Sequence, residues 1–473
     1  MSKASSTAEI EAHLDARFDC AVDELVAFCR IPSVSTDPTY KAEVRRAATF
    51  LAERFSKAGL ENVELYETGG HPFVLADWLH APDAPTILVY GHYDVQPPDP
   101  LDKWTTPPFE PEIRNDRLYA RGVSDDKGPM LIPLLVAEAF LALRGALPVN
   151  LKFVIEGEEE SGSPHFAPGI AALKERLACD LVISADGAMW RADLLSTTVA
   201  SRGLVALDVV LDGAAKDLHS GRHGGSAPNP VRALVRLLAS LHHDDGTIAV
   251  AGFADEALAP DPAILDAIRA AKFDAGAYFE SIGAVKPDPL PSGEDLLQQQ
   301  WLRPTLEFNG ISGGYAGAGT KTVIPANASA KITCRLVAGQ DPAAVSSAVT
   351  RHLEAHTPSG YRLTVHRHGP GSGAFSIDPD LAALRMAEDV LSELYGQTPL
   401  RVAMGATIPI GAVFAEHLGT AAIFFSFSTA DEDYHAPNEY FRLASFRKGL
   451  TAWTRLLERL GNTQGDLEKA GTD

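Results

Sequence analysis

The stretch TILVYGHYDVQPPD, residues 86–99, climbs through Ile87, Leu88, Val89 and Tyr90, then breaks at Gly91 into His92 and Asp94, one residue apart. A short apolar run of this kind reads as a buried strand. Two further runs end in similar chemistry: VNLKFVIEGEEE (149–160) in Glu158, Glu159 and Glu160, and CDLVISADG (179–187) in Asp186. In an open parallel sheet, ligands bind beyond the carboxyl ends of the strands, so these three ends point at one place. FFSFSTADEDYH (424–435) delivers His435 shortly after another strand, and RGVSDDKGP (121–129) sets Asp125 and Asp126 in a loop before a helix that begins near Pro129.

Around these ends, helix-like and strand-like segments alternate from the start to about residue 197. YKAEVRRAATFLAERFSKAGL (40–60), for example, has helical spacing and a stop at Gly59. That order predicts an α/β domain of three layers on a mostly parallel sheet. The texture changes near 198. LVALDVVLDG (204–213) alternates like a half-exposed strand, NPVRALVRLLASLHH (229–243) is an amphipathic helix, and ANASAKITCRLVAG, DPAAVSSAVTRHLEAH and YRLTVHRHG read as strand, helix and strand. This predicts an antiparallel α+β domain of ferredoxin-like type over 198–375, with 246–300 as an elaboration and 368–376 as a linker. The α/β texture returns over 376–473, so the second domain is read as inserted into a first one made of 1–197 and 376–473.

At 473 residues, 45% hydrophobic and 22% charged, the chain has ordinary globular composition and is longer than one core usually supports. A formal net charge of −21 disfavours nucleic acid and anionic membrane as partners. The longest apolar stretch, MLIPLLVAEAFLAL, contains Glu138 and is too short to span a bilayer. No apolar leader opens the chain, and Cys20, Cys29, Cys179 and Cys334 show no metal-type pairing. Reduced thiols in a cytoplasmic protein are the expectation.

So many carboxylates cannot crowd together unless protonated or neutralised. Divalent metal is the economical answer: mixed histidine and carboxylate ligands suit zinc, or manganese where oxygen dominates. Asp94 is placed to fix the tautomer of His92, and one carboxylate bridging two ions would make a co-catalytic site. Glu158 reads as a solvated acid and Asp126 as a loop or cap residue. GISGG (310–314) lacks the strand–turn–helix context of a nucleophile elbow. GYAGAGTKT misses phosphate-loop spacing. His13, His71, His242 and His243 read as surface residues.

GHYDVQP, RGVSDDKGP, EGEEESGS, KDLHSG and DYHAPNE, with WLRPTLEFNG in the second domain, resemble in order the signature segments of the M20 metallopeptidase family. The likeness is closest to its cytosolic, carnosinase-like dipeptidases. The resemblance implies a zinc-exopeptidase-like catalytic domain with two divalent metals (zinc foremost, manganese or cobalt admitted) and an inserted lid that mediates a homodimer. It implies that His92 and Asp186 hold one metal, Glu160 and His435 the other, and that Asp125 bridges them. Asp94 would orient His92. Glu159 would be the general base that turns a metal-bridging water into hydroxide, and His219 would reach the partner subunit's site to stabilise the oxyanion. Arg335 and Thr322 would bind the substrate's carboxylate end. The substrate implied is a dipeptide or very short peptide. One segment departs: where such dipeptidases carry something like REGGSIP, this chain reads AMGATIP (403–409), so Ala403 and Met404 replace a charged pair and Thr407 replaces a serine at the substrate-binding edge. That departure keeps an N-acyl- or N-carbamoyl-amino-acid amidohydrolase as the alternative. A non-catalytic family member is a distant one, because every ligand and the base are present.

Overall fold

The structure is a computed structural model that describes residues 5–463 and Leu467, apart from Pro370, Ala406, Ile408 and Pro409. Pro370 of the expected linker and Ala406 of the departing segment therefore lie outside the described residues. In chain order, the elements that matter for the site begin with α1 (Lys41–Ala58), β1 (Glu61–Tyr66), β2 (Phe73–Trp78), β3 (Thr86–His92), α2 (Gly128–Arg144), β4 (Asn150–Glu156) and β5 (Leu181–Ser184). There follow β6 (Gly203–Asp212), α3 (Pro230–Ala239), β7 (Thr305–Gly313), β8 (Asn327–Leu336), α4 (Pro342–His356) and β9 (Arg362–Arg367). The last are β10 (Ala422–Phe424) and α5 (Leu443–Gly461).

The chain divides into two compact units. One comprises the chain up to Val199, Ile377–Val402 and the chain from Val413; the other comprises Ala200–Ser376 and Ala403–Ala412. In the first, a six-stranded sheet runs in the order β1-β2-β4-β3-β5-β10. β3 pairs in parallel with β4 and β5, and β5 with β10, whereas β1 and β2 are antiparallel. The sheet is therefore mixed, parallel at its centre and at the β10 edge. β3 is buried from Ile87 onward, the condition that makes a central parallel strand read as a continuous apolar run. Val89 and Phe153 are partners across β3 and β4, and Phe153 packs on Phe55 of α1 with ring centroids 4.8 Å apart. Tyr90, one residue on and so on the opposite face, meets Phe166 and Phe414 at 5.4 and 5.8 Å. Helices thus cover both faces, which gives the three layers. α1 ends where Gly59 takes the left-handed φ of 90°, as the sequence predicts.

In the second unit the sheet order is β7-β8-β6-β9, antiparallel throughout. The chain order β6-α3-β7-β8-α4-β9 is the split βαβ arrangement of ferredoxin-like folds. Val205, Leu207, Val209 and Leu211 alternate inward from β6 onto Leu234 and Leu237 of α3 and Val349 and Leu353 of α4. Residues 246–300 add three helices, Pro262–Ala270, Ala275–Ser281 and Gly293–Trp301. The segment 403–412, which the sequence reading assigned to the last α/β stretch, clusters with this second unit. Its contacts explain this: Met404 O accepts from Arg202 N–H at 3.3 Å, and Gly405 O from Arg202 Nε at 2.8 Å. Among the described residues no helix is long and apolar enough to cross a membrane.

Candidate metal centre

β3 delivers His92, which is fully buried, at its carboxyl end. Gly91 precedes it because a Cβ there would lie 2.7 Å from both Asp126 Oδ2 and Met130 Cγ. Asp126 uses that same oxygen to accept the His92 N–H at 3.2 Å; it is buried and braces this strand end instead of capping the helix that follows. His92 Nε2 lies 3.0 Å from Asp125 Oδ1, and His435 Nε2 lies 3.0 Å from Asp125 Oδ2 and 3.1 Å from Glu160 Oε2. Asp125 therefore turns one oxygen toward each histidine. Two groups of potential metal ligands result, His92–Asp125–Asp186 and Asp125–Glu160–His435, with the ligand atoms of each group within 4.8 Å of one another. Sequence reading named these five residues, and the fold brings all five together.

Asp94 differs in detail from its expected role. His92 Nδ1 is 3.1 Å from the backbone carbonyl of Asp94 and 3.4 Å from its carboxylate. The carboxylate oxygens instead accept the backbone N–H groups of Glu159 at 3.3 Å and Glu160 at 3.1 Å. Asp94 thus joins the strand end that carries His92 to the loop that carries Glu159 and Glu160. Glu158 accepts from His71 N–H at 3.2 Å and lies 2.8 Å from His165 Nδ1, so it is engaged in holding that loop; it is buried rather than solvated.

Electrostatics within the cluster follow from burial against hydrogen bonding. Burial would raise Asp125, but hydrogen bonds with His435 and His92 outweigh it and hold that carboxyl well below the usual range. Burial pushes Glu160 to about 7 and Asp186 to about 6, and lifts Glu159 well above the carboxylate norm. Asp125 and Glu160 raise His435 to about 10. Burial disfavours charge on His92, yet Asp125 and Asp94 prevail and raise it well above normal. The raised histidines and the raised Glu159, Glu160 and Asp186 all favour bound protons where no cation neutralises the cluster. Divalent cations can take the place of those protons, and the mixed imidazole and carboxylate donors fit that exchange.

The remaining site residues lie on the second unit. His219, in the short strand Leu218–His219, is exposed; its Nδ1 accepts the Gly221 N–H at 3.0 Å. The ring proton is therefore on Nε2, which lies 3.4 Å from Thr322 Oγ1. Arg335 on β8 donates from Nη1 to Thr407 Oγ1 at 2.6 Å. Among the described residues no carboxylate comes within ion-pair distance of Arg335, so a cross-strand salt bridge does not account for it. Sequence reading missed Arg202, whose guanidinium is lowered to about 10 by burial and by Arg335. It gave no role to Arg121 and Glu439, although RGVSDDKGP and DYHAPNE contain them, or to Glu432; all three are buried charged groups around residues 121–125. The segment DYHAPNE signalled the place of Glu439 but not its partners, which lie in a distant loop.

His92 at a strand end of the α/β sheet and His435 in a later turn both face Asp125, which makes this a candidate metal centre. Residues 88–459 match the model of peptidase family M20/M25/M40, and the chain belongs to that family; it is a metallopeptidase, a hydrolase of peptide bonds. It is 31% identical over 471 residues to the Cys-Gly metallodipeptidase dug1 of Schizosaccharomyces pombe, covering 95% of this chain and 97% of that protein. To the Beta-Ala-His dipeptidase of Homo sapiens it is 30% identical over 461 residues, covering 93% and 89%. The solved structure of the dipeptidase Dug1p from Saccharomyces cerevisiae superposes with a TM-score of 0.84 at 27% identity, covering 97% of this chain and 99% of that one.

Proposed function

We propose that this enzyme is a dinuclear metal-dependent dipeptidase of the cytoplasm. The observation that carries the reading is the divided carboxylate of Asp125, with one oxygen on each histidine. His92 and Asp186 would hold one ion, Glu160 and His435 the other, and Asp125 both. Two divalent ions there, zinc matching the donors best and manganese or cobalt admitted, would acidify water and polarise the scissile carbonyl. Glu159, whose burial favours its protonated form, takes the proton of the attacking water and passes it to the leaving amine as the C–N bond breaks. His219, with its proton on Nε2, donates to the oxyanion. The second unit acts as lid and dimerisation domain, and His219 serves the active site of the partner subunit. Arg335, with Thr407 and Thr322, pairs with the free carboxylate of the substrate.

One observation favours a second reading within the same chemistry. Ala403 and Met404 stand where the dipeptidase pattern has a charged pair, and loss of that pair favours an N-acyl- or N-carbamoyl-amino-acid, which brings no ammonium to be held. A panel of dipeptides beside matched N-acetyl and N-carbamoyl amino acids, assayed for amine release after metal removal and readdition, separates the two. Cleavage confined to blocked substrates would replace the dipeptidase reading with the amidohydrolase one.

A further inference from the structure

Glu439 stands four residues beyond His435 and is 1% exposed. Its Oε2 accepts the Gly122 N–H at 2.8 Å and Arg121 Nη1 at 2.9 Å; its Oε1 accepts the Ser124 N–H at 2.9 Å and the Asp125 N–H at 3.2 Å. A carboxylate has about four lone-pair sites, and here all of them are spent on the loop that carries the shared aspartate. The same ion pair reaches a third segment, because Arg121 Nη2 donates to Pro97 O at 3.3 Å, just past His92 and Asp94. On the other side, the turn before Glu439 holds Asp433, His435 and Asn438 at φ 54°, 63° and 65°. Non-glycine residues keep that left-handed conformation only where their surroundings impose it. Asn438 anchors the turn by accepting the Thr105 N–H at 2.8 Å and donating to Lys103 O at 2.9 Å, and Glu439 anchors the turn's far end.

We propose that Glu439 is the positioning residue of the dinuclear centre. Its carboxylate sets the loop of Asp125 in register with the turn of His435, so that Asp125 presents one oxygen to each ligand group. Glu432 supplies the comparison. It is equally buried and accepts from Ser124 Oγ at 2.7 Å, yet it holds no backbone N–H of residues 122–125.

This inference rests on the two-metal reading, and the test separates the two. Zinc affinity would be measured without substrate, by competition with a chromophoric chelator, on stripped wild-type protein and on Glu439→Gln, Glu439→Asp and Glu432→Gln, with the melting of each apoprotein recorded. In Glu439→Gln, Arg121 draws the amide oxygen and turns the NH2 group against the Ser124 and Asp125 N–H donors. Zinc affinity should fall at both sites by ~10–100-fold, the usual effect of losing a group that orients a ligand. Glu439→Asp, which keeps the ion pair with one methylene fewer, should fall between that variant and wild type. Glu432→Gln should lower the apoprotein melting temperature while leaving zinc affinity at the wild-type level. Wild-type affinity at both sites in Glu439→Gln, or in Glu439→Asp should the former not fold, would overturn the proposal. So would an equal loss in Glu432→Gln. Wild-type protein that binds no zinc tightly would sink the two-metal reading and this proposal with it.

Discussion

Asp94 offers a quantitative test of how the centre is held together. It is fully buried, and its oxygens each accept one backbone N–H, from Glu159 at 3.3 Å and Glu160 at 3.1 Å. Asp94→Asn keeps the shape but replaces one acceptor with a donor, leaving one buried N–H facing another. Such an unsatisfied group costs about 1–3 kcal/mol, which is roughly 5–150-fold in an equilibrium constant. The cost falls on the loop that presents the proposed ligand Glu160 and the proposed base, so it should show as weaker metal binding and lower kcat, with KM little changed. Metal affinity by chelator competition and kcat at saturating metal are the measurements. An Asp94→Asn enzyme with both at wild-type levels would refute the idea that this carboxylate organises the loop.

Glu159→Gln should retain its metals and lose at least ~10²-fold in kcat, the lower range for general acid–base catalysis; near-normal turnover would remove Glu159 from the mechanism. His219→Ala should lower kcat without changing metal content, and mixing it with Asp125→Asn should restore part of the activity through heterodimers. No recovery in verified heterodimers would exclude a site shared between subunits. Metal affinity should rise with pH, because His435, raised to about 10, and Glu160, raised to about 7, must release protons to become ligands. Proton release on zinc binding near pH 7, read by calorimetry in buffers of different ionisation enthalpy, checks this, and binding without proton release contradicts it.

Much of this was legible in the chain because strand ends advertise themselves. His92, Glu160 and Asp186 each follow an apolar run closely, and the topology of a parallel sheet centre brings such ends together whatever lies between them. The alternation of 204–211 and the helical spacing of 230–238 likewise declare the second unit. What stayed hidden depends on pairings between distant segments. Glu439 meets residues 121–125 across more than 300 positions, and its place in DYHAPNE says nothing of which segment it holds. The antiparallel β1 and β2 carry no mark in their own residues of which way a neighbour runs. The attachment of 403–412 to the second unit comes from Arg202, a residue that reads from sequence as one more arginine at a domain border.

In the proposed reaction, hydrolysis depends on two ions, both held by Asp125. Stripped enzyme should be titrated with zinc in steps, counting bound ions per chain and measuring dipeptide cleavage at each step. Activity should be absent at zero, reach its maximum only as the second equivalent binds, and lose that behaviour in Asp125→Asn. Full activity at one equivalent, or hydrolysis that survives complete metal removal, would contradict it.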